Sequence, residues 1–172
     1  MLRSVVFMAG LVIAAAAFAP DLVSRYLAQR PDRPAPEAMN IPAAPQESYG
    51  GRVRIPADRS GHYKADIEVN GRAIGALVDT GASFVVLCYE DARSLGLVYG
   101  GDRFDIPVQT ANGTGHARRV KLSSVRIGSI FLDDVDAMVA GEGMLSVNLL
   151  GMSFLKRLSR YEAQNGMLVL ER

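Results

Sequence analysis

The chain has 172 residues, and 19 lysines and arginines against 18 aspartates and glutamates leave a net charge of +1. That balance provides no basic field for nucleic acid, and 49% hydrophobic with 22% charged residues is a globular rather than a disordered composition. A single cysteine, Cys88, excludes an intrachain disulfide and a cysteine-rich zinc site, and two histidines as far apart as His62 and His116 are a poor basis for a metal centre.

Residues 1–23 form the first segment. Val5 to Ala19 carries no charge and only Arg3 precedes it, which describes a cleaved signal peptide or an uncleaved anchor. Ala17-Phe18-Ala19 has the form of a cleavage site, but Pro20 directly after it would hinder a peptidase. The run reaches Val23 if Asp21 sits at the interface, about enough to cross a thin bilayer. A transmembrane anchor is the favoured reading, and either reading delivers the rest of the chain outside the cytoplasm. Arg3 before the run and Arg25, Arg30 and Arg33 after it leave the orientation open. Residues 24–48 form a linker with Pro31, Pro34, Pro36, Pro42 and Pro45, a composition that makes a semi-rigid spacer.

Residues 49–172 make one domain, read mostly as strands. His62 to Val69 alternates polar and apolar residues, Asn70-Gly71 marks a tight turn, and Ala73 to Val78 returns as its partner. Val85 to Cys88 is a short apolar strand. Glu90 to Leu95 is a helical turn stopped by Gly96. Ile106 to Thr110 and His116 to Leu122 flank Asn112-Gly113 as a second hairpin. Val125 to Ile127 and Ile130 to Leu132 form a third, and Val135 to Val139 a further strand. Leu150 to Leu158 has helical spacing, and Met167 to Leu170 closes the chain as a strand after Gly166. Short strands with one helix near the end argue for a compact β-rich domain built as a partly closed barrel.

The chemistry concentrates in Ala76 to Leu87, ALVDTGASFVVL, where Asp79 sits between two apolar runs. A plain turn would account for Asp-Thr-Gly, with the aspartate bonding its own backbone. The apolar flanks instead place the turn inside the domain, where an acid tends to be functional. Asp133, Asp134 and Asp136 read as a solvated cluster at a strand end, with a cation site as the lesser alternative. Cys88 reads as a small core residue.

Residues 50–172 resemble the retroviral-type (retropepsin-like) aspartic proteases, and among them the single-domain, membrane-anchored enzymes of bacteria. Leu77-Val78-Asp79-Thr80-Gly81-Ala82-Ser83 is similar to that family's active-site strand and loop. Thr110-Ala111-Asn112-Gly113-Thr114-Gly115 falls where its flap hairpin lies, and Leu149-Leu150-Gly151-Met152-Ser153-Phe154-Leu155 matches the segment leading into its C-terminal helix. The resemblance implies a single-lobe acid-protease barrel with one short C-terminal helix, preceded by an N-terminal transmembrane helix.

It also implies an aspartic endopeptidase that needs no cofactor and no metal. Asp79 would be the catalytic carboxylate, Thr80 would bond across the centre of the site, and Gly81 would let substrate backbone pass close. Ala82, Ser83, Ala111, Asn112 and Gly113 would contact a protein or peptide substrate. Ser83 departs from the family, which often has an acid there.

The mechanism needs two carboxylates sharing one proton. This chain has one Asp-Thr-Gly and no second Asp-x-Gly, so the second acid would be Asp79 of another copy in a two-fold homodimer. Strands near Val53 and Leu168 are the candidate interface elements. The membrane would be a bacterial inner membrane with the domain in the periplasm, or the domain would be secreted there. A catalytically inactive, membrane-tethered peptide-binding module and an inert structural domain are the competing readings.

Overall fold

The computed structural model of the chain describes residues 46–110 and 113–172. The leader, the linker as far as residue 45, and Ala111 and Asn112 at the expected hairpin tip lie outside the described residues. No helix among the described residues is long and apolar enough to cross a membrane.

Strand β3 (Lys64–Val69) and strand β4 (Arg72–Val78) are the first hairpin. Ala65, Ile67 and Val69 are buried on one face, as alternation dictates. Val69 pairs with Arg72, so the turn is the two residues Asn70 and Gly71. Both have positive φ, +50° and +84°, the geometry that Asn-Gly supplies at least strain. Strand β5 (Val85–Leu87) leads into helix α1 (Tyr89–Ser94), which Gly96 ends at φ +71°.

Strand β6 (Ile106–Thr110) pairs with β7 (Gly113–Ile127), and β7 pairs along almost its whole length with β8 (Ile130–Ala140). The sequence breaks at Ser123-Ser124 and Asp133-Asp134 suggested separate strands, but Ser124 faces Asp133 within one long hairpin. Polar residues there interrupt the apolar pattern, and the ladder skips only the Ser123 and Asp134 pair, where Asp134 has φ +50°, before resuming in the same register. The three aspartates are exposed, as expected, but lie within a strand rather than at its end.

Strand β9 (Asn148–Leu150) enters between β4, to which it runs parallel, and β5, to which it is antiparallel. The order β3-β4-β9-β5-β8-β7 returns to its start because Glu68 and Val69 of β3 also pair with Arg126 and Val125 of β7. Six strands therefore close into a barrel, with β6 hanging from β7 outside the ring. Ile67, Leu122, Ile127, Ile130, Leu150, Phe154 and Leu155 fill it, each fully buried. Such burial stabilises by about 1.5–3 kcal/mol per side chain.

The helix expected over Leu150 to Leu158 is a single turn, α2 (Met152–Leu155). Leu150, Phe154, Leu155 and Leu158 are all buried, but Leu150 belongs to β9. A strand running into a tight turn buries the same positions as a helix would. Among the described residues the domain thus carries two short helices, α1 where a helical turn was expected and α2 near the C-terminus.

A second sheet has the order β1 (Glu47–Tyr49), β2 (Arg52–Pro56), β11 (Met167–Glu171), β10 (Arg160–Gln164). Val53 and Leu168, expected near an interface, are buried inside the chain's own sheet. Its edges are β1 and β10. Strand β10 is polar and mostly exposed, so no alternation marked it. Its signal is the turn Asn165-Gly166, again with two positive φ values.

Candidate active site

Strand β4 ends at Val78, and the turn that follows carries the acid. The Asp79 N–H donates to the Leu150 carbonyl at 3.1 Å. Its own Oδ1 accepts the Gly81 N–H at 2.8 Å, which fixes the carboxylate in the turn. Asp79 and Ala82 are half-buried, whereas Thr80, Gly81 and Ser83 are exposed. The turn is therefore not enclosed within the domain as its apolar flanks suggested. Those flanks bury Ala76 and Val85 at their far ends and hold the tip outward at the barrel's edge. A carboxylate so placed carries little of the penalty of a core ion and can meet an incoming molecule.

Strand β9 and α2 brace this loop from beneath. A Cβ on Gly151 would lie 2.1 Å from the Phe84 carbonyl oxygen and 2.6 Å from that of Ala82, so only glycine permits the crossing. The Met152 N–H donates to the Ala82 carbonyl at 2.8 Å, and Ser153 Oγ accepts the Val85 N–H at 2.8 Å. Three residues before Gly151, buried Asn148 accepts the Cys88 N–H with Oδ1 at 2.9 Å. Its Nδ2 donates to the Gly75 carbonyl at 2.8 Å and to Asp91 Oδ2 at 2.6 Å. Asn148 thus ties β4, β5 and α1 together behind the acid loop. Sequence reasoning passed over Asn148 because nothing beside it names its partners.

Truncating Asn148 to alanine strands a buried N–H and a carbonyl and removes a donor from Asp91. The expected loss is about 2–3 kcal/mol in unfolding free energy, read from urea denaturation.

Strand register assembles a feature that no single segment shows. Lys64 faces Leu77, Leu77 faces Leu149, Leu149 faces Val86, Val86 faces Met138, and Met138 faces Arg119. Directly opposed residues share a face, so these six side chains form one row across β3, β4, β9, β5, β8 and β7. Their chain neighbours Ala65, Ala76, Leu150, Val85 and Ala137 are buried in the barrel, so the row lies on the opposite, outer face. Four apolar side chains sit between two cations, and Leu77 is two residues from Asp79. Leu77, Leu149 and Val86 remain half-buried.

Phe84, at the far end of the acid loop, lies under the Arg119 guanidinium at 5.0 Å from the ring centre. Gly113 opens β7 at the far end of the β6–β7 hairpin, exposed and with φ +113°. The hairpin is tied to residues 141–147: the His116 N–H reaches Met144 Sδ at 3.2 Å, and the Gly141 N–H donates to the His116 carbonyl at 2.9 Å. Cys88 is buried, and burial pushes its thiol up to about 11. It is a protonated core residue at neutral pH. Among the described residues no group of three or more His, Cys, Asp or Glu could hold a metal ion.

The family model of gag-polyprotein aspartyl proteases matches residues 65–157. An uncharacterized protein encoded in the cobV 5' region of a Sinorhizobium species is 41% identical over 111 residues, covering 64% of this chain and 48% of that protein. An uncharacterized protein of Rickettsia prowazekii is 35% identical over 130 residues, 76% of this chain and 55% of that one. The chain therefore spans about half the length of these curated relatives. The crystal structure of a retropepsin-like aspartic protease from Rickettsia conorii superposes with a TM-score of 0.64 at 33% identity. The match takes in 71% of this chain and 100% of that one.

Proposed function

Because this chain belongs to the retropepsin-like aspartic proteases, we propose that it is an aspartic endopeptidase whose catalytic pair is Asp79 and the same residue of a second copy. One observation carries the reading: Asp79 sits half-buried on a braced loop with an exposed tip, at the margin of an outward-facing apolar row. An acid in a purely structural turn needs no such setting.

In the paired site the two carboxylates share one proton, since like charges about 3 Å apart do not both ionise. The ionised carboxylate takes a proton from water as the water oxygen attacks the scissile carbonyl carbon. The protonated one gives its proton to the carbonyl oxygen. Collapse of the tetrahedral intermediate breaks the C–N bond, and the amine leaves with a proton returned by the dyad. Thr80 bonds across the dimer centre, and exposed Gly81 lets backbone approach. Ala82, Ser83, Ala111, Asn112 and Gly113 contact substrate. The apolar row Leu77, Leu149, Val86 and Met138 lines the cleft.

Strand β10 is a sheet edge and Tyr161 on it is exposed, which supports joining through this edge rather than through Val53 or Leu168. The leader serves as the anchor, with the domain outside the cytoplasm, and tethering both copies to one membrane raises their effective concentration.

The test combines sedimentation with digestion of a peptide library. Specific activity should fall on dilution in step with the dimer fraction. A lone subunit that cleaves peptides sinks the dyad, and a dimer that binds peptides without cleaving them favours the peptide-binding module.

A further inference from the structure

We propose that Arg119 determines specificity in this site by taking an acidic side chain of the substrate, an inference that rests on the protease reading above. The two cations that end the apolar row are not equivalent. Lys64 Nζ is engaged by Asp58 at 3.0 Å. The Asp58 carboxyl is held down at about 2 by the His62 backbone N–H, by Lys64 and by the Ser60 N–H, so it stays ionised at neutral and mildly acidic pH and keeps Lys64 occupied.

Arg119 has no carboxylate partner among the described residues. The acid nearest to it along β8 on the same face, Asp136, is opposite Lys121 and pairs with it at 3.7 Å. What Arg119 does contact is the Phe84 ring. Stacking uses the flat face of a guanidinium and leaves its N–H edges free. Those edges form the fork that receives a carboxylate through two parallel hydrogen bonds. Phe84 therefore holds the cation in place, and it belongs to the same loop as Asp79. The side chain is exposed, so a ligand reaches it without any rearrangement of the barrel.

The spacing gives the position. From β9, beside the acid, to β7 is three strand intervals, ~14 Å at ~4.8 Å each. An extended peptide rises ~3.3 Å per residue, so the acidic side chain lies about four residues from the scissile bond. Lysine or arginine there would meet a like charge, and the apolar row between would take aliphatic or aromatic side chains.

The experiment uses the full chain as wild type, Arg119→Gln and Arg119→Glu. Each is assayed on matched peptides with Glu, Gln or Lys at the second, third and fourth residue on either side of the cleaved bond. The wild type should favour Glu over Lys by about 10- to 100-fold in kcat/KM at one of these positions. Arg119→Gln should flatten that ratio, and Arg119→Glu should invert it. Asp79-dependent cleavage with no acid preference, or with a preference that Arg119→Glu leaves in place, overturns the role of Arg119 while leaving the protease reading intact. Absence of any Asp79-dependent cleavage overturns both. Arg119 is exposed, so neither variant is expected to disturb folding, and a thermal melt of each confirms that a lost preference is not a lost fold.

Discussion

On the proposed dyad, Asp79→Asn is expected to lower peptide cleavage by about 10⁴-fold while the domain stays folded. Asparagine keeps an Oδ1 that accepts the Gly81 N–H, so the turn that holds the side chain survives. What disappears is the charge that, in the proposed dyad, would draw a proton from water, and in a dimer of identical chains both such groups would be lost at once. The half-buried setting of Asp79 limits the stability change to about 1 kcal/mol. Turnover of a fluorogenic peptide read beside a thermal melt separates the two effects. Mixed dimers of wild-type and Asp79→Asn chains should also be inactive, because a single carboxylate cannot act as acid and base together. Retained turnover in the variant would end the dyad model.

Gly151→Ala is expected to destabilise by about 3 kcal/mol or more, or to prevent folding altogether. Its new methyl would sit within 2.6 Å of two carbonyl oxygens, those of Phe84 and Ala82. These are backbone atoms and have no rotamer to escape into, unlike the tip of a flexible side chain. Relief must come from moving either β9 or the acid loop, and each motion breaks the Met152 to Ala82 bond and shifts Asp79. Gly75→Ala is the internal control. No atom lies within 4 Å of its Cβ position and its φ is not positive, so its urea midpoint should move little. Equal shifts in the two variants would remove the argument for a tight crossing.

Several elements could be read directly. Asn70-Gly71 and the alternation around it fix a hairpin within a dozen residues, and Gly96 stops α1 for a local reason. Ala76 to Leu87 announces a turn that carries an acid. The long β7–β8 hairpin was read as pieces because serines and aspartates interrupt the pattern on its wet face. Strand β10 was missed because a polar edge strand buries nothing. The turn Asn165-Gly166 marked the place, but its flanks gave no periodicity.

Site composition was less legible than the site's location. Asp79, Thr80, Gly81, Ala82 and Ser83 are contiguous, so one motif yields them together. Asn148 and Gly151 matter because β9 threads between β4 and β5, and their partners lie about 60 to 70 residues away along the chain.

The acid-bearing turn and the tight hairpins followed from the residues alone, because each depends on residues adjacent in the chain and on their own φ preferences and hydropathy. It took the folded barrel to put Lys64, Leu77, Leu149, Val86, Met138 and Arg119 on one outer face and to leave Asp79 half-buried beside an exposed turn. Those relations depend on which strands pair and in what register. Register is settled by the combined burial of the whole barrel, since a slip of one residue would turn every inward side chain out.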